Sequence, residues 1–246
     1  MDRGHFANSL AVLLPLPALA PAGDRLLDSP TLIVIALAAL SLLGFAMVML
    51  TSFVKIAVVL SVLRSAIGTP QIPPTMVVTG LALVLSAFIM SPVVHQTVRI
   101  AKPELEQIRQ AGSATQQVER FLDAGKRAAS PLRAFLVKHA HARDRATFLS
   151  LSRRLHEPQD RATIKSDDFL VLVPAFLTSE LKEAFLIGFF LFVPFLVIDL
   201  VVSNILLALG MHMLAPTTIS LPFKFLLFVL VDGWHLLTRG LLAGYQ

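Results

Sequence analysis

From Ser29 to Val54 the chain runs for about 26 residues without a charged side chain, where the hydrocarbon core of a bilayer asks a helix for about 20. Lys55 and Arg64 follow, then Gly68 and the punctuation "GTPQIPPT". Arg64 in a last turn with Gly68 just beyond is an ordinary helix stop, predicting an end near Ala66. Pro74 suits the first turn of a second helix. That helix is uncharged through "TMVVTGLALVLSAFIMSPVVHQTV", with Pro92 predicted to kink or end it. The first pair of apolar runs therefore reads as a helical hairpin.

A second pair closes the chain. "AFLIGFFLFVPFLVIDLVVSNILLALG" contains Pro194 and Asp199, and "TTISLPFKFLLFVLVDGWHLLTRGLLAGYQ" contains Pro222, Lys224, Asp232 and Arg239. A charge at a bilayer centre costs roughly 3 kcal/mol on insertion scales, so these groups need partners or water. Pro194 can be accommodated by a kink with local repair of the backbone bonds. The second hairpin is expected to face protein or a wet cavity. Composition agrees with a membrane class: the chain is 55% hydrophobic and 15% charged, with a mean hydropathy of +0.74, whereas soluble domains carry about 25% charged residues.

The sequence then divides into a leader (1–28), a first hydrophobic hairpin (29–98), a polar segment (99–168) and a second hairpin (169–246). The polar segment holds 14 of the 21 Lys and Arg residues and 9 of the 16 Asp and Glu residues. It accounts for most of the pI of about 10.0, which is therefore no sign of nucleic-acid binding. Pro103, Pro131 and Pro158 split it into short helices; Leu132, Phe135, Leu136 and His139 recur at helical spacing. The expected fold class is all-α, four kinked hydrophobic helices around a polar helical segment.

Orientation sets two signals against each other. The polar segment is basic, yet at about 70 residues it exceeds the range over which the positive-inside rule counts well. The short link carrying Lys55 and Arg64 has no acid, and the N-terminal flank has three acids against two arginines. That balance puts the link in the cytoplasm and the N-terminus, polar segment and C-terminus outside. The start, "MDRGHFANSLAVLLPLPALAPAG", is signal-like, with "ALA" and "APA" as small-residue cleavage candidates.

Catalytic frames are absent: no G-x-x-x-x-G-K-[ST], H-E-x-x-H or G-x-S-x-G occurs. With no cysteine, thiolate metal sites and disulfides are excluded. His139 and His141, two apart, point to different faces of a helix. No cofactor, metal or catalytic residue is expected. "TSELKEAF" places Glu180, Lys182 and Glu183 at the entrance to the third hydrophobic helix, with Asp199 inside it and Lys224 inside the next. Such groups mark an ion path or pair across helices or subunits; with no third group to continue a relay, pairing is the preferred reading. Lys55 is placed to snorkel to the membrane surface. The terminal "GLLAG" is a G-x-x-x-G helix-packing notch or a frayed end.

The strings "MLTSFVKIAVVLSVLRSAIGTPQIPP", "GLALVLSAFIMSPV", "VPAFLTSELKEAFLIGFFLFVPFLVIDLVVSNILLALGM" and "TISLPFKFLLFVLVDGWHLL" resemble the FliP/SctR family, export-gate subunits of flagellar and virulence type III secretion systems. The resemblance covers both hairpins, well over half the chain. It is closer to the injectisome branch, although the long leader is more like flagellar members. It implies a non-enzymatic subunit of a homo-pentamer that joins SctS-like and SctT-like subunits, with SctU-like and SctV-like components nearby. That gate inserts in the inner membrane, projects to the periplasmic side and passes unfolded secreted proteins. The resemblance also puts Glu180, Asp199 and Lys224 on charged positions used inside the assembly. It puts Met211, His212 and Met213 in a loop whose methionines constrict the pore. His212 departs from the family pattern, which has a methionine there. Two rivals follow from the residues alone: a secondary transporter subunit, which intramembrane charges and broken helices suggest, and an intramembrane enzyme, which lacks a nucleophile–base pair.

Overall fold

The computed structural model describes Leu37, Ser41, Gly44 and residues 48–246 except 70–71 and 110–113. The leader and most of the first apolar run lie outside the described residues. Two compact units divide the chain, Met1–Phe45 and Ala46–Gln246. In the first, Leu37, Ser41 and Gly44 are helical and exposed, and the Ser41 hydroxyl donates to the Leu37 carbonyl at 2.9 Å.

Among the described residues of the second unit every regular element is a helix: α1 (Phe53–Ile67), α2 (Thr75–Arg109), α3 (Ala114–Ala128), α4 (Ser130–His139), α5 (Ala142–Leu155), α6 (Phe169–Ala208), α7 (Pro216–Leu230) and α8 (Gly233–Ala243). α1 stops where the sequence signals put it. Gly68 takes a left-handed conformation (φ 91°) and its N–H returns to the Ser65 carbonyl at 3.1 Å, with Arg64 in the last turn. Pro74 lies just before α2, its carbonyl accepting the N–H groups of Val77 and Val78. Pro131 occupies the first turn of α4, where its missing N–H costs nothing.

Pro92 does not end α2, which continues through Pro92 and Pro103 to Arg109. α6 likewise runs through Pro174 and Pro194. Thr75–Glu104 and Phe169–Ala208 are long and apolar enough to cross a bilayer. The last apolar run, expected as one kinked helix, is two: α7 and α8 meet at 61° and reach spanning length only together. The break has a local cause. Asp232 adopts a left-handed conformation (φ 49°), which Asp tolerates better than most residues. Gly233 then lies so close to the Phe228 ring that a Cβ there would come within 2.3 Å of it.

α6 is the axis of the unit. Its 40 residues extend about 60 Å at 1.5 Å per residue, twice the hydrocarbon thickness. α1, α4, α5 and α7 all pack on it. On the first half, Leu172, Ala175 and Phe176 join Phe135, Leu136, Met90 and Tyr245 in a buried cluster, where each large side chain gains about 2 kcal/mol over exposure to water. Further along, Ala184 and Phe195 meet Ile56, Val59, Leu60 and Leu63 of α1. Gly188 brings the two helices together: a Cβ there would sit 2.9 Å from the Val62 side chain. Small residues allow this approach in helices that gain little from hydrophobic burial.

Candidate functional site

Three features of this framework carry chemistry: two buried charge clusters held by α6, and the loop at its far end.

In the first cluster, Lys55 of α1 enters the side of α6 where Glu180 and Glu183 stand one turn apart. Its ammonium lies 3.3 Å from Glu180 Oε1 and 2.6 Å from Glu183 Oε2. Lys55 is 2% exposed and Glu180 fully buried, so the expectation that Lys55 snorkels is corrected. Carboxylates three apart on a helix share a face, and two of them outcompete the headgroup region for the cation. Tyr245 closes the cluster: its hydroxyl donates to Glu180 Oε2 and its ring lies 4.2 Å from the Lys55 ammonium, a cation–π geometry. Phe135 stacks on that ring at 6.1 Å, with His139 at 5.0 Å.

The turn between α4 and α5 extends this network. His141 Nε2 meets Glu183 Oε1 at 2.7 Å, and the His141 amide donates to Ser179 Oγ at 2.9 Å. The Ser179 hydroxyl reaches Asp144 Oδ2 at 2.9 Å, and Lys182 pairs with Asp144. The hydrogen bond from Lys182 holds the Asp144 carboxyl below its ordinary pKa, and burial followed by the Glu180 charge pushes the Tyr245 hydroxyl up. Burial, then the Lys138 charge, lowers His139 to about 4.

These shifts have a sign. A histidine near 4 when folded and 6.5 when unfolded stays neutral in the native protein, so the unfolded chain binds the extra proton between those values. Its contribution to stability is complete above about pH 6.5 and is lost as pH falls toward 4. Asp144 adds a second loss, as pH drops through the ordinary carboxylate range and below it. We expect the thermal midpoint of the detergent-solubilised protein to fall between pH 6.5 and 4, and His139→Gln to flatten that slope. An unaltered slope in His139→Gln would show that another group carries it.

The second cluster joins α6, α7 and the end of α1. Lys224 Nζ stands 2.7 Å from Asp199 Oδ2 and donates to the Ala66 carbonyl at 3.1 Å. Ser220, one turn before Lys224, donates to Asp199 Oδ1. Lys224 is 3% exposed. It serves both a carboxylate and one of the orphan carbonyls at a helix C-terminus, where positive charge is favoured. Gly68 leaves the space: a Cβ there would lie 3.5 Å from Lys224 Nζ. The pair forms within one chain.

α6 ends in a Schellman motif. Gly210 is left-handed (φ 71°); its N–H returns to Leu207, and that of Met211 to Leu206 at 2.9 Å. This turn lifts the next residues clear of both helices. Met211 is 43% exposed and Met213 99%, with His212 exposed between them.

The sequence model of the FliP family matches residues 36–241. The chain belongs to the FliP family. It is 47% identical over 213 residues to the Yop proteins translocation protein R of Yersinia pestis, covering 87% of this chain and 95% of that one. It is 44% identical over 216 residues to the hypersensitivity response secretion protein HrcR of Ralstonia nicotianae, 88% of this chain and 97% of that one. Against the flagellar biosynthetic protein FliP of Pectobacterium carotovorum subsp. carotovorum, identity is 45% over 211 residues, 86% of this chain and 77% of the relative.

In this FliP-family chain the residues singled out from sequence do not form one site. Glu180 belongs to the first cluster, Asp199 and Lys224 to the second, and Met211, His212 and Met213 to the loop. Sequence reading missed the partners that complete the clusters: Tyr245, His141, Asp144, Ser179 and Ser220. One signal was available. Tyr245 is the only tyrosine in the chain, and a lone amphipathic ring with a polar tip is a candidate for docking.

Proposed function

We propose that this chain is a core export-gate subunit of a bacterial type III protein secretion system, forming part of the pore through which unfolded proteins leave. Its family membership over 206 matched positions, residues 36–241, carries this reading. The chain is a structural part of the export apparatus and not an enzyme. The transporter reading finds no support: none of the relatives described above points to it, and Lys55, Glu180, Asp199 and Lys224 are tied up in pairs. Greater coverage of the Yop translocation protein R and HrcR relatives, 95% and 97% against 77% for the flagellar one, favours the injectisome branch.

The finer reading is a homo-pentamer joined by SctS-like and SctT-like subunits, alongside SctU-like and SctV-like components. Two hydrophobic hairpins (29–98 and 169–246) flank residues 99–168, which face the periplasm, and the gate projects to that side of the inner membrane. The leader, 1–28, precedes them. Phe185, Phe189, Val197, Leu200 and Val229 are exposed, far more apolar surface than a lone soluble chain carries; neighbouring subunits and lipid would cover it.

In that assembly the loop of Met211 and Met213 lines a shared constriction. Methionine is flexible and polarizable, so a ring of it closes a channel and then yields around varied peptides, and an apolar constriction resists ions by dewetting. His212 adds a polar group to the same tip. Shortening Met211 and Met213 together to alanine removes sealing atoms from every copy. The expected result is a complex of normal yield on native gels with raised ion conductance across expressing cells. A complex of normal yield with unchanged conductance would count against the gate.

A further inference from the structure

α2 has two unlike faces. Val78, Ala82, Ser86 and Met90 are buried against the rest of the unit. Val77, Val84 and Phe88 project from the opposite face and are exposed, as the helical period requires. They make an apolar stripe about 17 Å long at 1.5 Å per residue, close to one leaflet's half of the roughly 30 Å hydrocarbon core.

The same face continues into His95, Arg99 and Lys102, spaced by four and three residues. With Gln96 and Val98 they line an exposed groove of about 410 Å3. None of the three basic side chains has a hydrogen bond or ion pair among the described residues. The nearby Glu104 is engaged by Arg127 at 3.0 Å, and Glu106, one turn past Lys102, does not pair with it. Basic side chains with no partner among the described residues, at the end of a leaflet-length apolar stripe, match one class of ligand, an amphiphile with an anionic head.

We propose that this face binds an anionic phospholipid. Its acyl chains lie along Val77, Val84 and Phe88, and its phosphate sits among His95, Arg99 and Lys102, with the Gln96 amide donating to headgroup or ester oxygens. Arg99 offers a forked donor set suited to phosphate, and Lys102 a mobile point charge. The lipid would fix the depth and tilt of α2, the helix that leads out of the membrane into the polar segment.

The test uses the full chain purified in mild detergent, with phosphatidylglycerol and phosphatidylcholine of identical acyl chains as probes and native mass spectrometry as readout. The wild-type chain is expected to retain phosphatidylglycerol in preference to phosphatidylcholine. Arg99→Gln with Lys102→Gln should weaken that retention about fivefold for each cation removed, about 25-fold in all. Arg143→Gln with Arg154→Gln, which removes the same charge from α5, should leave it unchanged. Equal retention of the two lipids, unaltered retention in Arg99→Gln/Lys102→Gln, or an equal loss in the α5 variant each overturns the site. So does release by excess inorganic phosphate, which would make it a phosphate site. In native membranes a photoreactive residue at position 98 should capture lipid; capture of a protein chain would overturn the proposal in favour of a subunit interface.

Discussion

Lys55→Ala is expected to cost this chain a large share of its stability. Glu180 is fully buried and Glu183 is partly so, and both would lose their shared cation. Breaking one partner from a buried ion pair costs about 3–5 kcal/mol, against a total of about 5–15 kcal/mol for a typical fold. The Tyr245 hydroxyl would remain on Glu180, but a neutral donor cannot replace an ammonium. We expect Lys55→Ala to be depleted from the membrane fraction and, where recovered, to melt at a much lower temperature.

The variants around it isolate the cause. Removing the stranded charges as well, in Lys55→Met with Glu180→Gln and Glu183→Gln, should recover much of the loss, because paired removal avoids the unsatisfied buried group. Lys55→Met alone should not, although it fills nearly the same volume. If Lys55→Met alone melts with the wild type, packing holds the position and the charge cluster does not. Lys55→Arg should fall between them, keeping the charge but crowding the Tyr245 ring 4.2 Å away.

Local signals were legible in the sequence wherever backbone chemistry acts within one turn. Gly68 and Arg64 marked the end of α1, and Pro131 the start of α4, because a left-handed glycine or a ring-locked φ acts without tertiary help. Pro92, a signal to kink or end a helix, does not end α2. A proline removes one backbone bond and strains one turn, but a helix packed along its length can absorb that, and α2 passes through. The break at Asp232 was hidden, since nothing in "LVDGWHLL" shows that Gly233 must admit the Phe228 ring.

The charge pairs were half legible. Their cost in an apolar setting showed that Asp199 and Lys224 needed partners, and spacing on adjacent helices made each a candidate for the other. Lys55 was read by its neighbours in sequence, all apolar, as a residue reaching for the membrane surface. Its true neighbours lie 125 and 128 positions away, and distance along the chain hides them. The Met211–Met213 loop had a different kind of legibility. Two methionines and a histidine after a left-handed glycine were conspicuous at once, because a loop tip has no core to fill; Met213 is 99% exposed.

Lys224→Ala should also be severe, and its pattern separates two roles for the same pair. Loss of the ammonium leaves Asp199 without its cation and the Ala66 carbonyl without a donor. Asp199 retains Ser220 and is 25% exposed, so the expected cost is about 3 kcal/mol, the low end for a broken buried pair. Because the bonds to Asp199 and Ala66 close within one chain, the isolated subunit should already melt earlier, before any assembly is measured. Lys224→Met with Asp199→Asn should restore much of that stability, leaving only the helix-end carbonyl unserved. A role between subunits predicts something else: a complex still lost in the double variant although the single chain is stable again. Thermal melts of the isolated subunit, set beside native-gel yield of the complex, therefore distinguish the two. A Lys224→Ala subunit that melts with the wild type would sink the intrachain account and leave assembly as the only use of the charge.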